Sequence, residues 1–298
     1  MNRRFLAIVA AIGATTIYGL NHTIAKGVMP QYVQPFGFII LRVLGAAFLF
    51  WLISPLGPKE RIERKDYLRM VVCAFLGMGL NMLVFFKGLS LSTPINSSVL
   101  ITTTPIVVLV LSAVMLKERI SGRKVVGIGV GLIGALGLIL FGSEIRQDAP
   151  NIPLGNFLIF LNSIFYGSYL VVVKTLITKY HPFTFMKWLF SLGLLICLPF
   201  GYKEFMDIPW TTLPLEAYWG IAFVILGTTF CTYLFNIFAL TQLKASTLSA
   251  FVYVQPLVGI GYAILTGQDH LTFIKIIAAS LVLIGVYLAS RRSYSTKP

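Results

Sequence analysis

Apolar residues run along this chain in long blocks rather than alternating singly, and short connections rich in polar residues, glycine or proline separate the blocks. A bilayer core of about 30 Å takes about 20 apolar residues per helix. Ten blocks meet that requirement, at about 5–25, 34–53, 67–88, 95–116, 125–142, 154–174, 183–201, 216–240, 246–266 and 273–290. The longest polar connections run from Ser54 to Asp66, from Ser143 to Asn151 and from Tyr202 to Pro214, so no appended soluble domain is expected. Met1-Asn2-Arg3-Arg4 ahead of an apolar run resembles the start of a signal peptide, but no small-x-small cleavage site follows it. A retained first helix is therefore expected.

The pattern repeats. Asn96 to Ser121 carries a threonine triplet, a proline and a charged end, and Thr247 to Thr272, 151 positions later, follows the same plan. Pro105 recurs as Pro256, and Lys117-Glu118-Arg119-Ile120-Ser121 recurs as Gln268-Asp269-His270-Leu271-Thr272. Tyr18-Gly19 with Lys26 matches Tyr166-Gly167 with Lys174, and Pro35-Phe36-x-Phe38 matches Pro182-Phe183-x-Phe185. Halves at 1–146 and 150–298 follow, each with five spans. An odd number of spans makes the second half enter the membrane from the opposite side. The expected fold is an all-α integral membrane protein of ten transmembrane helices, arranged as two inverted-topology five-helix repeats.

Composition agrees: 57% of residues are hydrophobic, 11% are charged and mean hydropathy is +0.86, more apolar surface than a soluble core of 298 residues can hide. The net charge of +14 is not a nucleic-acid footprint, because no basic cluster alternates with exposed aromatics. With the amino terminus inside, eighteen lysines and arginines fall on the cytoplasmic side and five, Lys26, Lys87, Arg146, Lys203 and Lys275, fall outside. That asymmetry predicts both termini in the cytoplasm and a multi-pass protein of the inner membrane. Cys73, Cys197 and Cys231 are far apart within apolar blocks and read as small buried hydrophobes.

Tyr18-Gly19 with Lys26, Pro35, Arg42, Thr104-Pro105 and Lys117-Glu118-Arg119-Ile120-Ser121, with their second-half echoes, resemble the drug/metabolite transporter superfamily built from two EamA repeats. The resemblance covers nearly the whole chain. It implies ten helices around a central cavity and alternating access for small metabolites, most often export. Asp269-His270 departs from the glutamate-arginine usual in such a turn.

Polar groups inside spans mark the candidate site, because a charge at the bilayer centre costs about 2.5–3.5 kcal/mol or more. Tyr18, His22 and Lys26 share one helix face, with Asn21 on an adjacent face. His22 reads as a substrate contact or proton sensor, or as a structural hydrogen bond, and Lys26 as a site cation or a residue snorkelling to the interface. Arg42 sits mid-span and needs a partner, either a substrate carboxylate or phosphate or carbonyls freed by a neighbouring helix break. Asn81, Asn162 and Asn236 are buried amides that read polarity or join helices.

Pro105 and Pro256 take the amide donors from the carbonyls of Ile101 and Val252, predicting two corresponding breaks. Thr102, Thr103 and Thr104 at one break, and Tyr253 and Gln255 at the other, either line a midplane cavity or satisfy their own freed backbone. Phe85, Phe86, Tyr166, Tyr169 and Tyr233 supply aromatic surface.

Gly129-Val130-Gly131-Leu132-Ile133-Gly134 matches a dinucleotide fingerprint but lies in an apolar span with no preceding strand, so it reads as helix packing through Gly127 and Gly131. No catalytic constellation, cofactor or metal set is expected. The expected function is a secondary transporter, exporting a small organic metabolite such as an amino acid. An exchanger of phosphorylated or nucleotide-linked metabolites, a lipid flippase or a scaffold are the alternatives. Its partners are the bilayer and a small-molecule substrate, without nucleic acid.

Overall fold

The computed structural model describes residues 3–116, 122–141, 147–243 and 254–290. Helix α1 spans Arg3–Val28 and α2 spans Pro35–Ile53. Helix α3 is interrupted: α-helical Tyr67–Ala74, a π-helical turn Phe75–Leu80, then α-helical Asn81–Leu91. Helix α4 runs as Pro94–Leu100, a 3-10 turn Ile101–Thr103, and Thr104–Leu116. Helices α5 (Gly122–Phe141), α6 (Ile152–Ile177) and α7 (Pro182–Met206) are continuous. Helix α8 repeats the plan of α3, with Leu215–Ala222, a π-helical turn Phe223–Cys231, and Thr232–Gln242. Helices α9 (Val254–Leu265) and α10 (Phe273–Ser290) complete the described chain.

Helical geometry follows from a solvent that offers no hydrogen bonds: each backbone group inside a bilayer must be satisfied within its own segment. The helix starts are written locally. Pro35, Pro94, Pro153 and Pro182 occupy first turns, where a missing amide costs nothing. Thr93 accepts from the Asn96 amide at 3.3 Å, and Asn151 accepts from the Leu154 amide at 3.1 Å.

Eight described stretches are long and apolar enough to cross a membrane, and α9 and α10 are shorter apolar helices. Phe5, Phe48, Leu195 and Ile133 are among the exposed large apolar side chains, as expected of surfaces that meet lipid. The turn at 117–121 and Tyr253 lie outside the described residues.

Packing connects the halves repeatedly. Helix α5 lies along α10, and α2 lies along α7. Helix α3 packs on α6 as α8 packs on α1, and α4 packs on α6 as α9 packs on α1. When every helix is exchanged for its counterpart five helices on, the first two pairs map onto themselves and the others onto one another. The α5–α10 seam brings backbones together: a Cβ on Gly285 would lie 2.3 Å from the Gly131 nitrogen and 2.7 Å from the Gly127 oxygen. The expected small-residue packing face is therefore present. Cys73 and Cys197 are buried, whereas Cys231 is only partly so.

Candidate functional site

The site is built around the π-helical turn of α8. Such a turn inserts an extra residue, shifting the carbonyls out of the ordinary i, i+4 ladder and re-aiming side chains. Thr229 Oγ1 donates to the Val224 carbonyl at 2.9 Å and accepts from Arg42 Nε at 2.8 Å. Thr228 Oγ1 donates to Asn21 Oδ1 at 3.1 Å, and Thr232 Oγ1 donates to the Thr228 carbonyl at 2.5 Å. The guanidinium carbon of Arg42 lies 5.4 Å from the centroid of Phe86. Arg42 is buried, and its guanidinium makes no other hydrogen bond among the described residues.

Tyrosines surround this cation. Tyr18 and Tyr233 lie within electrostatic reach of Arg42, and Tyr166 within reach of both tyrosines. Tyr166 and Tyr169 stack with centroids 5.8 Å apart. Tyr233 meets Phe50 edge-on at 6.1 Å and Phe190 at 5.8 Å. Tyr166 keeps 36% of its surface accessible, whereas Tyr169 is buried. Tyr18 and Tyr166, paired by the repeat, thus come from opposite halves to one place.

His22 forms a neighbouring polar group. Its Nδ1 lies 2.9 Å from Ser97 Oγ, its Nε2 lies 3.4 Å from Gln255 Nε2, and its ring meets Phe85 edge-on at 5.7 Å. The imidazole is therefore bracketed by α4 and α9. Lys26 does not snorkel into water: it is buried, and its ammonium donates to the carbonyls of Ser90 at 2.9 Å and Asp148 at 2.6 Å. It ties the end of α1 to the last turn of α3 and to the α5–α6 connection.

Other expected residues sit elsewhere. Thr102, Thr103 and Thr104 donate to the carbonyls of Val99, Leu100 and Ile101 at 2.6, 2.7 and 2.8 Å. Their hydroxyls serve the backbone that Pro105 disturbs, rather than an open cavity wall. Pro256 stands in the first described turn of α9, and Val252, whose carbonyl it would leave free, lies outside the described residues. Asn162 donates to the Asn81 carbonyl at 3.0 Å and so joins α6 to α3. Asn236 is half-buried one turn beyond Tyr233. Thr228, Thr229, Ser97 and Thr232 were not singled out by sequence reasoning. A Gly-Thr-Thr triplet inside an apolar span, Gly227-Thr228-Thr229, was the available signal.

Two clefts lie at the ends of the bundle, away from Arg42. One of about 1060 Å³ is lined by Lys26, Tyr32, Asp148, Glu216, Trp219 and Tyr262, among others. The other, of about 500 Å³, lies beside Lys65, Asp66 and Arg69. At this second end, hydrogen bonds from Lys179 and then Lys65 hold the Glu63 carboxyl below the usual carboxylate range. Bonds to Asp66 and Glu63 in turn push Lys179 up. Among the described residues no group of histidine, cysteine and acidic side chains could hold a metal.

The EamA-like transporter family model matches twice, over residues 5–140 and 153–291. The chain belongs to the EamA-like transporter family. This EamA protein is 29% identical over 285 residues to an uncharacterized transporter of Archaeoglobus fulgidus, covering 96% of this chain and 98% of that one. It is 25% identical to the uncharacterized transporter YyaM of Bacillus subtilis, covering 95% and 92%. A solved crystal structure, 15% identical, aligns with a TM-score of 0.62 over 96% of this chain and 97% of the other, which is a likeness of fold. The protein is a multi-pass membrane transporter built from two EamA repeats.

Proposed function

We propose that this protein is a secondary carrier that exports a small organic metabolite, an amino acid or a similar compound, by alternating access. Residues 1–146 and 150–298 form two inverted five-span halves, making ten spans in all, in the cytoplasmic membrane with both termini inside. The reading is carried by the convergence of Tyr18, Arg42, Tyr166 and Tyr233 from both halves, within a packing network that reproduces itself when the halves are exchanged. Two related halves around one polar centre can adopt two mirrored arrangements, each opening the centre to one side. The substrate-facing set is Tyr18, Asn21, His22, Arg42, Phe85, Tyr166, Tyr169, Tyr233 and Gln255.

The direct test is flux in proteoliposomes, using a panel of labelled metabolites with and without a pH gradient. Saturable, protein-dependent movement of at least one solute is expected, and its absence across the panel would remove the carrier reading. Orientation is tested separately with single cysteines at each terminus, which impermeant thiol reagents should modify only after the cells are opened.

A further inference from the structure

Charge within the bundle narrows the solute. None of the ten acidic residues, Glu60, Glu63, Asp66, Glu118, Glu144, Asp148, Glu204, Asp207, Glu216 and Asp269, lies in the middle of a span. Among the described residues, Arg42 is the charged group beside Tyr18 and Tyr233, and no acidic side chain pairs with it. Its Nε is taken by Thr229, which fixes the plane of the guanidinium and leaves the Nη1–Nη2 edge for another acceptor. That edge presents two parallel N–H donors, the geometry that a carboxylate accepts in bidentate fashion. A buried cation with its fork unoccupied favours an anion that arrives with matching lone pairs.

The surroundings limit the charge and shape of that anion. A phosphate would bring further negative charge and call for a second cation. Lys26, which lies on α1 with Tyr18, instead directs its ammonium to the Ser90 and Asp148 carbonyls at the end of the bundle. An ammonium on the solute would find neutral acceptors but no carboxylate. Tyr18, Tyr233 and the stacked Tyr166–Tyr169 pair supply flat aromatic rings edged with hydroxyls, and Phe86, fully buried, backs the guanidinium. We infer that the carrier, on the reading proposed above, takes an organic monocarboxylate with an aromatic or similarly flat apolar body. The carboxylate sits on the Nη edge of Arg42, and a same-skeleton amino acid binds more weakly.

A matched panel tests this in purified protein and in proteoliposomes: 3-(4-hydroxyphenyl)propanoate, its amide, 3-(4-hydroxyphenyl)propylamine and tyrosine. Equilibrium binding and protein-dependent flux are measured in parallel, against protein-free vesicles. The carboxylate should bind about tenfold or more tightly than the amide, because an anion on a charged fork gains more than a neutral acceptor. Arg42→Lys should lower carboxylate affinity about tenfold or more while leaving amide binding nearly unchanged. Equal or better binding of the amide, the amine or the zwitterion by the wild-type protein overturns the inference, and that arm holds even if Arg42 variants fail to fold. Failure of all four compounds to bind also overturns it. Selective carboxylate binding without flux would uphold the substrate class and defeat the carrier reading.

Discussion

Gly19 of α1 packs directly on Val258 of α9: a Cβ on the glycine would lie 2.8 Å from Val258 Cβ and 2.8 Å from the Gln255 carbonyl oxygen. In the other half Gly167 of α6 meets Val107 of α4, where its Cβ would lie 3.0 Å from Val107 Cγ1. Val258 is Val107 displaced by the repeat's 151 positions, so one contact is made twice. Gly19→Ala must push α1 off α9, and overpacking of this kind costs about 1–3 kcal/mol. Its melting temperature in detergent should fall, while Gly129→Ala, which meets nothing within 4 Å, should leave it unchanged.

Lys275 and Asp269 form an ion pair with no side-chain exposure, at 2.9 Å, and Asp269 Oδ2 also accepts from the Ile95 amide at 3.0 Å. Removing one member of a buried pair costs about 3–5 kcal/mol, because the other charge is left uncompensated. Asp269→Asn and Lys275→Met should each lower thermal stability sharply. The double variant should be less damaged than the two losses added together, and simple additivity would argue against coupling.

Thr229 positions Arg42 without needing to touch the solute. Hydrogen bonds to charged groups contribute about 1.5–3 kcal/mol. Thr229→Val should therefore raise KM about tenfold or more with little change in kcat, and Thr229→Ser should restore it. An equal fall in kcat with KM unchanged would assign the threonine another role.

Register in α8 matters as much as composition. An α-helix advances about 100° per residue, so deleting Leu226 from the π-helical turn would rotate Thr228 and Thr229 relative to the rest of the helix. Insertion into the membrane should survive and flux should vanish. Normal flux in the deletion variant would show the extra residue to be dispensable.

At the far end, acidity should weaken the Glu63–Lys179 pairing. The Glu63 pKa is lowered in the folded protein, so its contribution is present above the unfolded value of about 4.3 and disappears as pH falls through the folded one. Lys179, raised by its partners, contributes below its unfolded value of about 10.4 and loses this only as pH rises through its folded pKa. Lys179 also pairs with Asp66, whose carboxyl is lowered too, so the melting-temperature gap between wild type and Lys179→Met should hold from pH 6 to 9 and narrow as pH falls below about 4 through the two folded pKa values.

Much of the centre was legible from the chain. Tyr18, Tyr166 and Arg42 stood out because each is polar within an apolar block, and the repeat tied two of them together. Pro105 also marked a real irregularity, the 3-10 turn Ile101–Thr103, although Thr102 to Thr104 turn their hydroxyls to the backbone there. The π-helical turns of α3 and α8 were not legible, because inserting one residue leaves hydropathy untouched and depends on how neighbouring helices pack. Lys26 was ambiguous for a similar reason: its acceptors at Ser90 and Asp148 are carbonyls, which sequence does not distinguish from any others.

The cap that Asp269 places on Ile95 also bears on how the protein is made. Its two ends are separated by 174 positions, so α4 enters the membrane long before its cap has been synthesised. Until the α9–α10 turn arrives, the start of α4 lacks that acceptor, and α1 lacks both α8 and α9. A ribosome-bound first half is thus an unfinished intermediate, and a chain stopped before Asp269 should be degraded rather than accumulate as a stable half-transporter.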